Sequence, residues 1–169
     1  MVITNGFPKC GNHALVKAVE LLGQPCLVEH TPYSAPIGQQ VFIKRDPRNA
    51  VCSWVRFIHK PVTPGMFITA FRQFQNAPLI TEMAEYEGWL SDPQTLVVRY
   101  EDLIASDAEM RRIAAYLGVP YLADSFDELP GLTRTWHADH SDYQVIWTPE
   151  VESVWGSEGG PALLTRWGY

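Results

Sequence analysis

Short apolar strands alternate with helical stretches along this chain, and the alternation constrains the fold more than any other feature. The clearest strand is predicted at residues 95–100, where β-branched side chains dominate. Three shorter strands are predicted at residues 2–4, 26–28 and 41–43. Strands separated by helices favour a parallel sheet that is covered on both faces. The sequence therefore predicts an α/β fold, a three-layer sandwich with a central parallel sheet.

Capping and stop residues locate the first helices. Apolar residues recur at helical spacing from Leu15 to Leu22, and Gly23 ends this helix. Asp46 followed by Pro47 predicts the start of a second helix, which runs to about residue 57. Each of these helices directly follows a strand.

The remaining helices are predicted at residues 64–76 and 79–90, from Ser106 as the cap to Gly118, and near residues 122–128. Beyond them, a Trp- and Gly-rich tail shows no clear period. Three acidic residues of the 79–90 stretch are expected on a solvated helix face: Glu82, Glu85 and Glu87. No repeat or low-complexity segment divides the chain, so we expect a single domain over residues 1–169.

Composition excludes several classes of function. The 169 residues are 46% hydrophobic and 19% charged, as in a globular protein and not a disordered one. A net charge of −6 argues against a general nucleic-acid binder. No apolar run approaches the roughly 20 residues that span a bilayer, and no signal peptide is visible. Three cysteines are an odd number without metal-ligand spacing, so we expect a reduced, cytoplasmic protein.

The charge is unevenly distributed along the chain. Residues 1–60 carry seven basic and three acidic side chains, whereas residues 101–169 carry four basic and twelve acidic ones. A cationic N-terminal third in an acidic protein is suited to holding a small anion. The alternative is an uneven surface charge without a ligand.

Two loops at strand ends carry the residues that would hold such an anion. The first strand turns through Gly6 and Gly11 into a helix, with Lys9 inside the turn. Lys9 precedes Gly11, so this is not the G-x-x-x-x-G-K-[ST] loop, and an ordinary tight connection is the alternative. The second loop places Arg45 at a strand end and Ser53 two turns into the next helix. Two such loops at one sheet edge predict a ligand with two separated anionic groups.

Four segments, in this order along the chain, resemble motifs of the sulfotransferases that use 3′-phosphoadenosine 5′-phosphosulfate (PAPS). Residues 7–13, Phe-Pro-Lys-Cys-Gly-Asn-His, resemble the family's 5′-phosphosulfate loop, Tyr-Pro-Lys-Ser-Gly-Thr-Thr. Residues 45–53 resemble its 3′-phosphate motif and keep the Arg-to-Ser spacing. Residues 98–103 resemble its Tyr-Glu-Asp-Leu strand end, and residues 125–127 its Ser-Phe-Asp segment. The resemblance covers about residues 2–160 and implies a P-loop-like nucleotide-binding topology.

The resemblance implies transfer of a sulfuryl group from PAPS to a hydroxyl or amine of a small-molecule or carbohydrate acceptor, which leaves the bisphosphate PAP. It implies no metal. The 3′-phosphate would contact Arg45 and Ser53, and the adenine would lie beside Tyr100 and Phe126. The first loop would bind the 5′-phosphosulfate through Pro8, Lys9, Cys10, Gly11, Asn12 and His13.

Several positions depart from the family pattern. Cys10 replaces a Ser, and Asn12 and His13 replace two Thr that bind phosphate, although both side chains can donate hydrogen bonds. Ala14 replaces a Trp that stacks on the adenine. The Arg-Lys-Gly triplet near the family's C-terminus is missing, and Arg134 is the basic residue placed to substitute for it.

The catalytic base is expected just after the second strand. His30 follows that strand as the catalytic His of the cytosolic members does, and an imidazole with a pKa of about 6.5 suits a general base. Glu29 is the alternative base, since other branches of the family use Glu. Lys9 would stabilise the departing phosphate. A purely structural role for His30 is the other interpretation.

Two further functions compete with sulfuryl transfer. A kinase-like nucleoside-phosphate enzyme would need a Mg²⁺-binding Ser or Thr after a loop Lys, and neither is in place. A non-catalytic module that binds PAP or PAPS would keep the nucleotide site without turnover.

Some side chains have no assigned role. Cys10 could be reactive at a helix N-terminus. A solvated or acceptor-side loop is favoured over a metal site for His137, Asp139, His140 and Asp142. A core position is favoured over an acceptor pocket for the aromatic residues Trp54, Phe57, Phe67, Phe71 and Phe74.

Overall fold

A parallel β-sheet forms the centre of the molecule. The computed structural model describes residues 1–35, 38–122, 124–132 and 143–169. Within these residues four strands pair in the order β2-β1-β3-β4, all parallel. The strands are β1 (Val2–Gly6), β2 (Cys26–Glu29), β3 (Gln40–Lys44) and β4 (Thr95–Arg99). The predicted parallel sheet is confirmed.

Helices connect and cover these strands. Two follow strands at predicted positions, α1 (Asn12–Leu21) and α2 (Pro47–Ile58). Asp46 caps α2 as predicted, because its Oδ1 accepts the backbone N–H of Arg48 at 2.9 Å. The other helices in the described part of the chain are α3 (Pro64–Arg72), α4 (Leu79–Ala84), α5 (Glu87–Ser91), α6 (Tyr100–Ala105), α7 (Ala108–Leu117), α8 (Ser125–Leu132), α9 (Pro149–Ser157) and α10 (Gly160–Trp167).

The helices form two groups on opposite faces of the sheet. Helix α1 packs against α7 and α8, whereas α2, α3, α4, α5, α9 and α10 pack among themselves. The chain passes from β1 to β2 in one direction along the sheet and from β3 to β4 in the other. Right-handed crossovers therefore put the two groups on opposite faces, and the predicted three-layer sandwich is confirmed. The division into a single domain stays a prediction.

This winding opens a crevice between β1 and β3. The two strands are neighbours, with Gly6 opposite Ile43, but their chains continue into helices of opposite layers. Their carboxyl ends diverge, and such a switch point is where open α/β sheets bind ligands. The two loops singled out in the sequence border this crevice.

Aromatic side chains anchor the first loop in the core. Phe7, the first loop residue, is 1% exposed and packs edge-on against Tyr86 at a centroid distance of 5.3 Å. Its other edge-on neighbour is Trp167 of α10, at 6.4 Å. Phe42 of β3 stacks on Trp89 at 6.3 Å in the same core. Aromatic packing in the core therefore holds the start of the first loop in place.

Two of the predicted helices are longer than the helices in the structure. The stretch 64–76 ends as α3 at Arg72, because Gln73 has an extended backbone and the chain turns there. The stretch 79–90 is two short helices. The N–H groups of Tyr86 and Trp89 bond to carbonyls three residues back, Met83 and Tyr86, which tightens the chain and interrupts the α-helical repeat.

Other elements were placed imprecisely or missed. Tyr100 begins helix α6 instead of ending β4. Asp107 occupies the position before α7, while the Ser106 hydroxyl accepts the N–H of Ala108 at 3.4 Å. The tail predicted without a clear period forms α9 and α10. Thr148 begins α9 by accepting the N–H of Val151 at 3.3 Å.

The expectation that Glu82 lies on a solvated face is wrong. Glu82 is 8% exposed, and its Oε1 accepts the backbone N–H groups of Gln75, Asn76 and Ala77 at 2.8, 2.5 and 2.7 Å. Hydrogen bonds to its carboxylate therefore stabilise the turn that follows α3. Glu85, by contrast, is exposed, as predicted.

We expect Glu82→Ala to lower the free energy of unfolding by about 2–4 kcal/mol, because three amide donors lose a charged acceptor. Urea unfolding followed by circular dichroism measures the change. Glu85→Ala, at a neighbouring exposed carboxylate, should stay within about 0.5 kcal/mol of the parent. Equal stability of the two variants would contradict the role of Glu82.

Candidate functional site

Steric constraints restrict which residues can occupy the first loop, residues 7–11, and the position of Gly6 before it. A Cβ on Gly6 would overlap Asn12 Oδ1 and lie 2.8 Å from the carbonyl oxygen of Ile43. Gly11 has φ +101° and precedes α1. Lys9 also has a positive φ, 67°, which is strained for a residue with a Cβ and is typical of functional loops.

The N-terminus of α1 provides the loop with free donors. The first N–H groups of a helix have no intrahelical carbonyl partner and carry the positive end of the dipole. The Cys10 N–H and the Asn12 side-chain amide both bond to the carbonyl oxygen of Phe7, at 3.1 and 3.0 Å. Asn12 therefore helps to close the loop, whereas His13 on the same turn is exposed.

The second loop brings Arg45 against the first. Arg45 is 6% exposed, and its Nη1 donates to the carbonyl oxygen of Lys9 at 3.3 Å. Its guanidinium lies 4.3 Å from the ring centroid of Tyr100. The same ring packs on Gly11 so closely that a Cβ there would overlap it. The ends of β1, β3 and β4 therefore meet at one point.

Residues near the end of the sequence brace this junction. Glu101 accepts the N–H of Asp46 at 3.1 Å and the hydroxyl of Tyr169 at 2.8 Å. Burial, and then the charge of Glu101, raise the pKa of Tyr169, so its hydroxyl stays a donor. Lys44 donates to the carbonyl oxygen of Trp167 at 2.6 Å. These hydrogen bonds therefore connect the second loop to Tyr169, and the end of β3 to the end of α10.

Lys9 is the cation that the first loop itself contributes. Partial burial lowers the pKa of its ammonium below the usual 10.5. The Nζ lies 3.3 Å from the ring centroid of Phe57, a side chain that is 70% exposed. A bound anion would raise this pKa again, because an opposite charge nearby favours the protonated form.

His30 is held in one orientation. It directly follows β2, and its Nδ1 lies 3.0 Å from the carbonyl oxygen of Gly6. A carbonyl oxygen can only accept, so Nδ1 carries the proton and donates. In the neutral ring, Nε2 is then the unprotonated nitrogen and can act as a base.

These side chains border one pocket of about 390 Å³. Most of the residues proposed from sequence lie on its wall, and the described lining residues include no Asp or Glu. The pocket is lined by Pro8, Lys9, Gly11, Asn12, His13, His30, Arg45, Ser53, Trp54, Phe57, Gln75, Tyr86 and Tyr100.

Four predicted site residues are not brought into this lining. Cys10 is fully buried, and burial raises the pKa of its thiol to about 12. Glu29 is the last residue of β2, and its carboxylate accepts the Thr31 hydroxyl at 3.2 Å. Phe126 lies on α8, the helix that packs on α1. Arg134 is outside the described residues.

Part of the pocket wall was not predicted from the sequence. Core packing was favoured for Trp54 and Phe57, yet both line the pocket, whereas Phe67, Phe71 and Phe74 are buried core as expected. Gln75 and Tyr86 belong to no motif, and only the fold brings them to the site. A Trp and a Phe near the end of α2, just after Ser53, were the available signal for an aromatic wall.

Within the described residues, no group of three or more His, Cys, Asp or Glu side chains is arranged to hold a metal ion. The His137–Asp142 segment considered in the sequence analysis lies outside them. None of the described helices is long and apolar enough to cross a membrane.

No family model and no curated protein matches the sequence. Among solved structures, the chain is similar to the crystal structure of mouse sulfotransferase SULT7A1 complexed with PAP. The TM-score is 0.70 at 14% sequence identity, over 96% of this chain and 86% of that one. This likeness confirms the P-loop-like α/β fold. Membership of the sulfotransferase family stays a prediction.

The environment of Cys10 predicts an inert thiol, contrary to the suggestion that it is reactive. Burial raises the pKa of this thiol to about 12, so it stays protonated near pH 8, and the side chain is enclosed. In the native protein, iodoacetamide should modify half-buried Cys26 before Cys10, and concentrated guanidinium should expose both. Peptide mass spectrometry reads the order. Rapid native labelling of Cys10 would contradict this assignment.

Proposed function

We propose that this protein binds PAPS and transfers its sulfuryl group to the hydroxyl, or amine, of a small-molecule or carbohydrate acceptor. The observation that carries the proposal is the charge of the pocket. In a chain of net charge −6, the described lining holds Lys9, Arg45 and a helix N-terminus without one carboxylate. The fold shared with a PAP-bound sulfotransferase supports it. A cytoplasmic location stays a prediction.

The residues present fit a ligand with two anionic ends. Lys9, His13 and the N–H groups at the start of α1 would hold the 5′-phosphosulfate, with Pro8, Gly11 and Asn12 shaping the loop. Arg45 and Ser53, from the other loop, would hold the 3′-phosphate. Tyr100 would border the adenine. Phe126 would lie beside the adenine, and Arg134 would contact the phosphates. Neither residue is among the described residues that line the pocket.

The chain's own groups supply the acid–base chemistry. PAPS, when bound, provides an activated sulfuryl group and a good phosphate leaving group. His30 Nε2 would accept the proton of the acceptor, since Nδ1 is committed to Gly6. Lys9 would stabilise the negative charge that develops on the departing phosphate. Glu29 is the weaker choice of base, because it is absent from the described lining.

The competing functions make different demands on this pocket. A kinase-like enzyme would hold Mg²⁺ through a hydroxyl after the loop Lys and a carboxylate. Asn12 and His13 follow the loop instead, and the described lining has no carboxylate. A non-catalytic binding module remains the second candidate, favoured by the departures from the family pattern at Cys10 and Ala14. Turnover separates it from an enzyme.

Thermal unfolding with nucleotides tests the donor site. PAP at about 100 times its Kd should add about 2.7 kcal/mol and raise the unfolding midpoint by about 5–10 °C. AMP, which lacks the 3′-phosphate, should have a smaller effect because Arg45 and Ser53 gain no partner. A shift with ATP·Mg²⁺ alone would favour the kinase-like function. No shift with any of the three would overturn the proposal.

Substitutions should separate binding from chemistry in a PAPS turnover assay. Lys9→Ala and His30→Ala should each reduce the rate by about 100-fold or more. Lys9→Ala and Arg45→Ala should weaken PAP binding, whereas His30→Ala should not. Lys17→Ala, on α1 and paired with Glu20 away from the pocket, is the charge control. A full rate for His30→Ala would remove His30 as the base.

A further inference from the structure

The segment that carries His30 has no secondary structure of its own. Residues 30–35 form neither helix nor strand, and β2 before them is an edge strand of the sheet. The His30 side chain is exposed. A base on such a segment needs outside support, since a displacement of about 1 Å can reduce a rate by about 100-fold.

Asn5, at 1% exposure, ties the segment to the end of β1. Its Nδ2 donates to the carbonyl oxygen of Thr31 at 3.1 Å, and its Oδ1 accepts the N–H of Thr31 at 3.3 Å. The same Oδ1 accepts the N–H of Gly6 at 2.7 Å. Gly6 is the residue whose carbonyl oxygen accepts from His30, so Asn5 holds one partner of that hydrogen bond and the residue next to the other.

Tyr86 holds the other side of the segment. Its hydroxyl donates to the carbonyl oxygen of His30 at 2.9 Å, and Trp89 Nε1 donates to the next carbonyl, that of Thr31, at 3.2 Å. Both rings are buried, and the Tyr86 ring packs edge-on against Phe7 of the first loop. Burial, with the charges of Glu82 and Glu85 adding to it, raises the pKa of Tyr86 to about 12. Its hydroxyl therefore remains a donor near neutral pH.

We propose that Tyr86 is a positioning residue for His30, acting with Asn5 to keep the imidazole in the Nδ1–H tautomer with Nε2 directed to the acceptor. The assignment of a catalytic purpose rests on the proposed function. Among the described residues, the ring of His30 forms one hydrogen bond, with the carbonyl oxygen of Gly6, and the backbone carbonyls of His30 and Thr31 are both anchored. The consequence is a base whose free nitrogen is set before any substrate binds.

Tyr86→Phe tests this role with little disturbance, because it removes one hydroxyl and keeps the packed ring. Tyr116→Phe is the matched control. Its hydroxyl also donates to a backbone carbonyl, that of Gln94 at 2.6 Å, and accepts the N–H of Gln40 at 3.3 Å, both at the opposite end of the sheet. Tyr116→Phe therefore removes a hydroxyl that forms at least as many hydrogen bonds as that of Tyr86, and only Tyr86 lies beside His30.

The first measurement is the nitrogen-15 spectrum of the imidazole, which needs no substrate and distinguishes the two neutral tautomers. His30→Gln identifies the resonances. The parent and Tyr116→Phe should show the Nδ1–H form of His30, whereas Tyr86→Phe should show a mixture of tautomers. An unchanged tautomer in Tyr86→Phe overturns the proposal.

The second measurement is turnover with PAPS and an accepted hydroxyl compound. Tyr86→Phe should lower kcat by about 10- to 100-fold with the PAPS KM and PAP affinity unchanged, and Tyr116→Phe should match the parent. A kcat equal to that of Tyr116→Phe overturns the positioning role. If the parent itself neither binds PAP nor turns over PAPS, the proposed function fails, and the spectrum still reports separately on whether Tyr86 orients the ring.

Discussion

The contact between Tyr100 and Gly11 is the constraint on which the rest of the site depends. The ring occupies the space where any other residue at position 11 would place its Cβ, and the Arg45 guanidinium stacks on it at 4.3 Å. Three strand ends that are far apart in sequence are therefore held together by one aromatic side chain. Glycine is therefore required at position 11 twice, by this contact and by the positive φ of the turn.

An acidic protein maintains a cationic pocket by using its nearby carboxylates elsewhere. Asp46 caps α2 and pairs with Arg48 at 2.6 Å. Its carboxylate therefore interacts with the N-terminus of the helix and with a guanidinium. Glu101 accepts from a backbone N–H and from Tyr169. Asp46 lies in the second loop and Glu101 contacts that loop from the start of α6, yet neither carboxylate lines the described pocket. Lys9 and Arg45 do line it.

The sequence was most informative where a residue type has a local consequence. Alternating strands and helices predicted the sheet, and Asp46 with Pro47 predicted the start of α2, because capping acts within one turn of chain. The pattern could not predict Glu82, whose acceptor role depends on a turn five to seven residues earlier. It also could not find Tyr86, since its partner His30 is 56 residues away and neither lies in a shared motif. Long-range hydrogen bonds leave no local signature.

The hydroxyl of Tyr169 reaches back 68 residues to Glu101, and through Glu101 to the loop that carries Arg45. Contacts of such sequence separation form late, because a long stretch of chain must be ordered first. The strands and the first loop can assemble while the second loop still lacks its brace. The pocket that Arg45 lines is therefore expected to become rigid only after these distant contacts have formed.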